Sequence, residues 1–181
     1  AAVELRALET LWFNTGTLCN IECRNCYILS SPKNDDLVYL TAAEVEAYLD
    51  EIAERSLPTR EIGFTGGEPF MNPEIVPILE AALERGHRVL VLTNAMKPMA
   101  KCAEGLLNLR ARYGRRLVLR VSVDHYTQAL HELERGPRSW TPTLDGLQWA
   151  ARNGIAVNVA GRLKWGEPEE RMREGYARLF A

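Results

Sequence analysis

The chain has 181 residues, of which 46% are apolar and 25% charged, a balance typical of a globular domain that buries its own core. Its formal net charge of −2 gives no reason to expect a polyanionic partner, which disfavours nucleic acid and with it an RNA-modifying enzyme. No apolar run approaches the ~18 residues of a membrane span, and the N-terminus does not read as a signal peptide. We therefore expect a cytoplasmic protein whose thiols stay reduced.

Five short apolar runs, rich in β-branched residues, alternate along the chain with helical stretches. Their length and composition are those of buried parallel strands. They cover residues 11–17, 61–66, 88–94, 117–124 and 155–161.

Capping signals predict the helices between these runs. Thr41 and Glu44 form a capping box at the start of a helix that ends near residue 55. Pro73 precedes a helix over residues 74–85, which Gly86 ends. Further helices are predicted over residues 98–112, 128–135 and 167–180, and between a Thr-Pro cap at 141–142 and the glycine at 154.

Strand–helix alternation at this spacing predicts βαβ units and a parallel sheet. With no linker in the sequence, we expect one domain over residues 1–181. A closed barrel has eight strands and ~250 residues, more than this chain offers. The expected fold class is therefore α/β, an open, partial TIM-type barrel of five to six βα units, incomplete on its C-terminal side.

Side chains suited to ligand binding stand where the predicted strands end. In βα barrels and open α/β sheets, ligands bind beyond the carboxyl ends of the strands. The candidates are three cysteines after the first strand, Gly66-Gly67-Glu68-Pro69 after the second, Asn94 after the third, Ser122 and Asp124 at the end of the fourth, and Arg162 after the fifth.

The three cysteines are Cys19, Cys23 and Cys26, spaced C-x3-C-x2-C. Thiolates hold iron–sulfur clusters, and three of them bind three irons of a cubane and leave the fourth iron open to a small molecule. The alternative is zinc with a fourth ligand taken from Cys102, His87, His125 or His131. The spacing alone leaves open both metals and cysteines that bind no metal. Cys102, if it is not a ligand, is expected to be a small buried residue.

The Gly66-Gly67-Glu68-Pro69 segment has two interpretations. Two glycines before a proline make a tight turn between strand and helix. The same glycines leave bare backbone within reach of a ligand, and the Glu68 carboxylate beside them is suited to an ammonium group.

C-x3-C-x2-C after the first strand, together with GGEP after the second, resembles the radical S-adenosylmethionine (radical SAM) superfamily from about residue 11 to residue 162. The resemblance implies that Cys19, Cys23 and Cys26 ligate a [4Fe–4S] cluster and that S-adenosylmethionine chelates the fourth iron. It further implies an enzyme that cleaves this cofactor reductively, giving a 5′-deoxyadenosyl radical that abstracts hydrogen from a substrate.

The same resemblance assigns contacts to the cofactor residue by residue. Gly66, Gly67 and Glu68, with Pro69 beside them, meet the methionine amino group, and the backbone of Tyr27 meets the adenine. Ser122 and Asp124 match the position that meets the ribose or the methionine carboxylate. Asn94 and Arg162 are further expected contacts, Arg162 as a carboxylate partner.

The form CNxxCxxCY and the segment HELERG at residues 131–136 resemble the branches that mature peptides or cofactors. Asn25 departs from the aromatic residue that many members have before the third cysteine. A peptide or cofactor precursor is thus the expected substrate, with flavodoxin or ferredoxin as electron donor. The alternatives are a cluster-binding module without radical turnover and a zinc-bound structural domain.

Overall fold

The computed structural model describes residues 6–181, and five strands in this range form one parallel sheet. The strand order equals the chain order, so every crossover adds its strand to the same edge. This is the wall of a βα barrel left open, and it differs from the reversed order of a doubly wound sheet. The predicted fold class is confirmed, with strands β1 (Thr10–Asn14), β2 (Glu61–Thr65), β3 (Arg88–Thr93), β4 (Leu117–Ser122) and β5 (Ala156–Ala160).

The helices are α1 (Ala42–Glu54), α2 (Ile75–Glu84), α3 (Lys97–Lys101), α4 (Ala103–Tyr113), α5 (Gln128–Arg135), α6 (Trp140–Arg152) and α7 (Glu169–Leu179). The capping box predicted for α1 is present, because Thr41 Oγ1 accepts from Glu44 N at 3.3 Å and Glu44 Oε2 accepts from Thr41 N at 2.8 Å. Among residues 6–181, no helix is both long enough and apolar enough to cross a membrane.

Two helices differ from the prediction. The stretch expected as one helix over residues 98–112 is divided at Cys102, whose φ of −95° and ψ of 10° separate α3 from α4. Helix α6 begins at Trp140, one residue before the predicted cap at Thr141. Pro142 therefore lies in the first turn of α6, where a missing backbone N–H breaks no helical hydrogen bond.

One face of the sheet packs against the helices and forms the core. Phe13, Phe64, Val91 and Leu119 lie side by side across β1 to β4 and are all buried in this core. Since all strands run parallel, their carboxyl ends share one edge of the sheet. The loops that carry the predicted site residues therefore start from the same edge.

Candidate active site at the carboxyl ends of the strands

The loop after β1 carries the three clustered cysteines and closes on itself. Cys19 N donates to Ser31 O at 3.1 Å, which joins the two ends of the loop. Inside it, Cys26 N donates to Cys23 O at 3.3 Å, and Ser30 N donates to the Cys26 sulfur at 3.3 Å. The three thiols are free, so they are available as metal ligands.

The loop after β2 is bonded to the segment that leads into Cys19. Gly67 N donates to Gly16 O at 2.9 Å, and Glu68 N donates to Leu18 O at 3.0 Å. A Cβ on Gly67 would lie 2.2 Å from Leu18 O, and Gly66 has a φ of +141° that other residues rarely adopt. The two glycines are therefore required for close approach of the two loops.

The Glu68 carboxylate is buried beneath this turn, 2% exposed, and does not line the cavity described below. It accepts hydrogen bonds from Thr93 Oγ1 at 2.8 Å, Asn94 N at 2.8 Å and Phe70 N at 3.3 Å. Burial raises the pKa of Glu68 to about 7 in spite of these donors. The carboxylate thus joins the ends of β2 and β3, whereas the sequence suggested that it faces a ligand. Pro69 is also buried and starts a short 3-10 turn, Pro69–Met71.

Asn94, at the end of β3, reaches the cysteine loop. Its Nδ2 donates to Asn20 Oδ1 at 2.9 Å and lies 3.9 Å from the Cys19 sulfur. Its Oδ1 accepts from Met96 N at 3.0 Å, which fixes the orientation of the amide group. The side chain therefore stands beside the first cysteine, as its position at a strand end predicted.

Asp124 follows β4 and lies between two arginines. Its Oδ2 is 3.0 Å from Arg135 Nε, and its Oδ1 is 3.2 Å from Arg162 Nε. The carboxylate is buried and is not part of the cavity lining, although Arg135 and Arg162 are. Contrary to the expectation that Asp124 faces a cofactor, its position is that of a support for the two guanidinium groups.

A cavity of about 190 Å³ lies at this edge of the sheet and gathers most of the predicted site. The predicted residues that line it are Cys19, Cys23, Cys26, Tyr27, Gly66, Gly67, Asn94, Ser122 and Arg162. Glu68, Pro69 and Asp124 lie outside the lining. Thr93, which closes β3 beside Asn94, lines the cavity too. The lining residues that sequence reasoning missed are Ile21, Ser30, Thr65, Leu92 and Arg135, and only Arg135 had a signal, in the HELERG segment.

The candidates for a fourth zinc ligand beside the three cysteines are dispersed. His125 uses both ring nitrogens, with Thr127 Oγ1 at 2.8 Å and Glu167 Oε1 at 2.5 Å. His131 packs on Trp140, His87 precedes β3 at the opposite end of the sheet, and Cys102 lies between α3 and α4. In the part of the chain that the structure describes, no three His, Cys, Asp or Glu side chains converge on a single metal ion. The described geometry gives no support to mononuclear zinc.

The thiols of Cys19 and Cys23 are protonated at neutral pH in the absence of metal, because the pKa of each is raised. Burial raises the pKa of Cys19 to about 12, more than the hydrogen bond from the backbone of Ile21 lowers it. Burial also raises the pKa of Cys23, although the Arg135 guanidinium acts in the opposite direction. Metal binding to these thiols must therefore release protons.

Fold and site together define an open βα-barrel protein with a cavity lined by three cysteines at the carboxyl edge of its sheet. The profile of the Radical SAM superfamily matches residues 13–174, and the chain belongs to this superfamily. The superfamily uses a [4Fe–4S] cluster and S-adenosylmethionine, the cofactors that the resemblance implied.

Two curated relatives illustrate the range of this similarity. The chain is 29% identical over 143 residues to the antilisterial bacteriocin subtilosin biosynthesis protein AlbA of Bacillus subtilis, covering 78% of this chain and 30% of the relative. It is 30% identical over 134 residues to the AdoMet-dependent heme synthase of Methanosarcina barkeri, covering 72% of this chain and 35% of the relative. The chain thus spans about a third of the length of these relatives.

Solved structures share the fold. Streptococcus suis SuiB bound to S-adenosylmethionine superposes with a TM-score of 0.74 at 15% identity, covering 94% of this chain and 37% of SuiB. SuiB bound to the precursor peptide SuiA gives a TM-score of 0.76 at 15% identity, covering 97% of this chain and 37% of SuiB. At this level of identity, the likeness shows the fold alone.

Proposed function

We propose that the chain is the single-domain core of an oxidoreductase or maturase that cleaves S-adenosylmethionine reductively at a [4Fe–4S] cluster. The observation that carries this proposal is the set of three free thiols, Cys19, Cys23 and Cys26, that line one cavity, whose described lining contains no further Cys and no His, Asp or Glu. When bound, the cluster and S-adenosylmethionine supply a 5′-deoxyadenosyl radical that abstracts hydrogen from a substrate.

The donor set fits the cluster. Thiolates are the usual ligands of iron–sulfur clusters, and all three thiols line the same cavity. Arg135 lines the same cavity, and its charge favours the thiolate form of Cys23 by opposing the rise in pKa that burial causes. The volume of about 190 Å³ is below the ~300–1,000 Å³ of ordinary ligand pockets, so we expect the nucleoside to extend over the open edge of the sheet.

The backbone of the Gly66-Gly67 turn is suited to an ammonium group. The Gly67 N–H is already bonded within the protein, but no donor in residues 6–181 reaches the carbonyl oxygens of Gly66 or Gly67. An ammonium donates hydrogen bonds and needs such acceptors. We therefore assign the methionine amino group to these carbonyls, with Glu68 holding the turn from beneath.

The remaining cofactor contacts come from four cavity-lining residues. Arg162 offers a cation to the methionine carboxylate, and Ser122 and Asn94 offer neutral polar groups. Tyr27 is 76% exposed at the rim, where its backbone is accessible to the adenine. Asp124 acts through Arg162 and Arg135, which it holds in place.

We propose a peptide as the substrate. Support comes from AlbA, a biosynthesis protein of the bacteriocin subtilosin, and from the solved complex of SuiB with the precursor peptide SuiA. A cofactor precursor is the alternative that the heme synthase relative favours. The reaction needs an electron donor, for which flavodoxin or ferredoxin is suited, and reduced thiols, which fits a cytoplasmic location.

The test is anaerobic reconstitution of the chain with iron and sulfide, followed by electron paramagnetic resonance of the reduced protein with and without S-adenosylmethionine. We expect iron and sulfide in a ratio of about 4:4, a signal that S-adenosylmethionine perturbs, and 5′-deoxyadenosine as product. A cluster whose electron paramagnetic resonance signal does not change on addition of S-adenosylmethionine would favour a binding module. A colourless protein with one bound zinc would favour a structural domain. Either result would overturn the proposal.

A further inference from the structure

Helix α5 holds the part of the cysteine loop that lies between the second and third cysteines. Arg24 N donates to the Glu134 carbonyl oxygen at 2.8 Å. Asn25 N donates to Glu134 Oε1 at 3.1 Å, and Asn25 Nδ2 donates to Glu134 Oε2 at 3.0 Å. A single residue therefore accepts from two consecutive backbone amides and one side chain of the segment between Cys23 and Cys26.

Two cations complete this arrangement. Lys164 Nζ lies 2.5 Å from Glu134 Oε2, and Arg162 Nη1 lies 3.6 Å from Glu134 Oε1. Arg162 Nη1 also donates to Asn25 O at 3.4 Å, so the N–H and the C=O of Asn25 are held by two oppositely charged partners. The Glu134 side chain is only 1% exposed, whereas the side chains of Lys164 and Arg162 are each 36% exposed, so water and salt reach these ion pairs from the side of the cations.

We propose that Glu134 is a positioning residue for the metal centre, which fixes the backbone between Cys23 and Cys26 so that both thiols are held in place before metal arrives. This inference rests on the proposed function, because it assumes that the two thiols ligate the cluster. Groups that orient metal ligands from outside the coordination sphere typically change metal affinity by about 10- to 100-fold when removed. Glu134 occupies such a place without touching either cysteine.

Single substitutions at Glu134, Glu132 and Asn25, and the double variant at Asn25 and Glu134, test the role in the reconstituted protein. Glu134→Gln retains the shape of the side chain but removes one acceptor and the charge, and we expect a chelator to strip its cluster at least about tenfold faster than that of the wild type. Glu132→Gln, on the same helix, is the matched control and should stay within about twofold, because within residues 6–181 the Glu132 carboxylate accepts only from Gln128 and Trp140. The double variant Asn25→Ala/Glu134→Gln should destabilise the bound cluster by less than the sum of the two single variants, because both changes remove the same contact.

Amide hydrogen exchange of the cluster-free protein tests the role of Glu134 independently of whether a cluster has been loaded. The Arg24 and Asn25 amides of the wild type should exchange slowly although they lie in a loop, and Glu134→Gln should speed Asn25 by about tenfold or more. Unprotected amides in the wild type would overturn the inference even if the variant failed to fold. A wild type that binds no cluster would overturn the proposed function instead, and equal stripping rates in wild type and Glu134→Gln would overturn the role of Glu134 alone.

Discussion

Glu68 N donates to Leu18 O at 3.0 Å, directly before Cys19. With the parallel bond from Gly67 N to Gly16 O, it forms a short ladder between the turn after β2 and the start of the cysteine loop. The two motifs that stand 40 residues or more apart in the sequence are therefore one structural unit. A change in the glycine turn must move the first cysteine.

Gly67→Ala tests this coupling. The new Cβ would meet Leu18 O at 2.2 Å, and a backbone atom cannot move aside without displacing Cys19. We expect the variant to bind a reconstituted cluster poorly and to lose affinity for S-adenosylmethionine, as measured by iron content and equilibrium binding. The loss in free energy of unfolding should be of the order of 1–3 kcal/mol, the usual range for overpacking.

Gly105→Ala is the control for that variant. Its Cβ would lie 2.8 Å from Val76 Cγ1, which is also tight, but the obstacle is a side chain on the outer helices. We expect a change in stability with normal iron content. Equal iron loss in both variants would mean that general destabilisation, rather than the glycine turn, controls the cluster.

Replacement of single cysteines should separate ligands from bystanders. Cys19→Ala, Cys23→Ala and Cys26→Ala should each abolish the ~400 nm absorbance of a bound iron–sulfur cluster. Cys102→Ala should retain it, because Cys102 lies between α3 and α4 and is absent from the cavity lining. Loss of colour in Cys102→Ala would show that the ligand set is misassigned.

Most of the fold is predictable from the sequence because its signals are local. The capping box at Thr41 and the five β-branched runs place α1 and the strands, and the short crossovers imply a parallel sheet. The break at Cys102 is not predictable, because neither glycine nor proline marks it. Tertiary packing sets such a boundary, and the residues around it carry ordinary helix propensities.

The candidate site is predictable only to the level of strand ends. Parallel strands bring their carboxyl ends together, and Asn94, Ser122 and Arg162 accordingly line one cavity, while their contacts with a cofactor stay a prediction. Whether a side chain faces the cavity or the protein depends on the packing of neighbouring loops, so spacing could not show that Glu68 and Asp124 are buried.

Ser122 and Asp124 should respond differently to substitution. Asp124→Asn leaves the buried Arg135 without its carboxylate, and removing one partner of a buried ion pair costs about 3–5 kcal/mol. Ser122→Ala should change the free energy of unfolding by less than about 1 kcal/mol while weakening binding of S-adenosylmethionine. Urea unfolding of the cluster-free proteins and binding to the reconstituted proteins measure the two effects. A stable Asp124→Asn that fails to bind the cofactor would make Asp124 a direct contact.

His131 should make stability depend on pH in the acid range. The side chain is fully buried and neither ring nitrogen has a hydrogen-bond partner in the described residues. Burial, helped by Arg135, lowers its pKa to about 4, so the unfolded chain takes up a proton between about pH 6.5 and pH 4 that the folded protein does not. Stability should fall by up to roughly 3 kcal/mol as the pH falls through this window. His131→Leu should lack this loss, and urea unfolding at pH 6.5 and pH 4.5 checks it.

Glu68 should make stability depend on pH in the opposite direction to His131, over nearly the same pH range. Its pKa of about 7 exceeds the 4.5 of an exposed glutamate, so the folded protein holds a proton that the unfolded chain has lost between those values. Stability from this group should therefore fall as the pH rises from about 4.5 to 7, by up to roughly 3 kcal/mol. In the wild type, the opposite pH dependence of His131 cancels part of this change in stability.

Glu68→Gln should expose that compensation. The variant is expected to be less stable at every pH. Thr93 Oγ1 and Asn94 N donate to different oxygens of the Glu68 carboxylate, and the single amide oxygen of a glutamine cannot replace both acceptors. Its deficit against the wild type should nevertheless shrink between pH 4.5 and pH 7, when both cluster-free proteins are unfolded in urea. A deficit that grows with pH would mean that the Glu68 carboxylate is ionised in the folded protein throughout this range, stabilised by its donors more than burial penalises it.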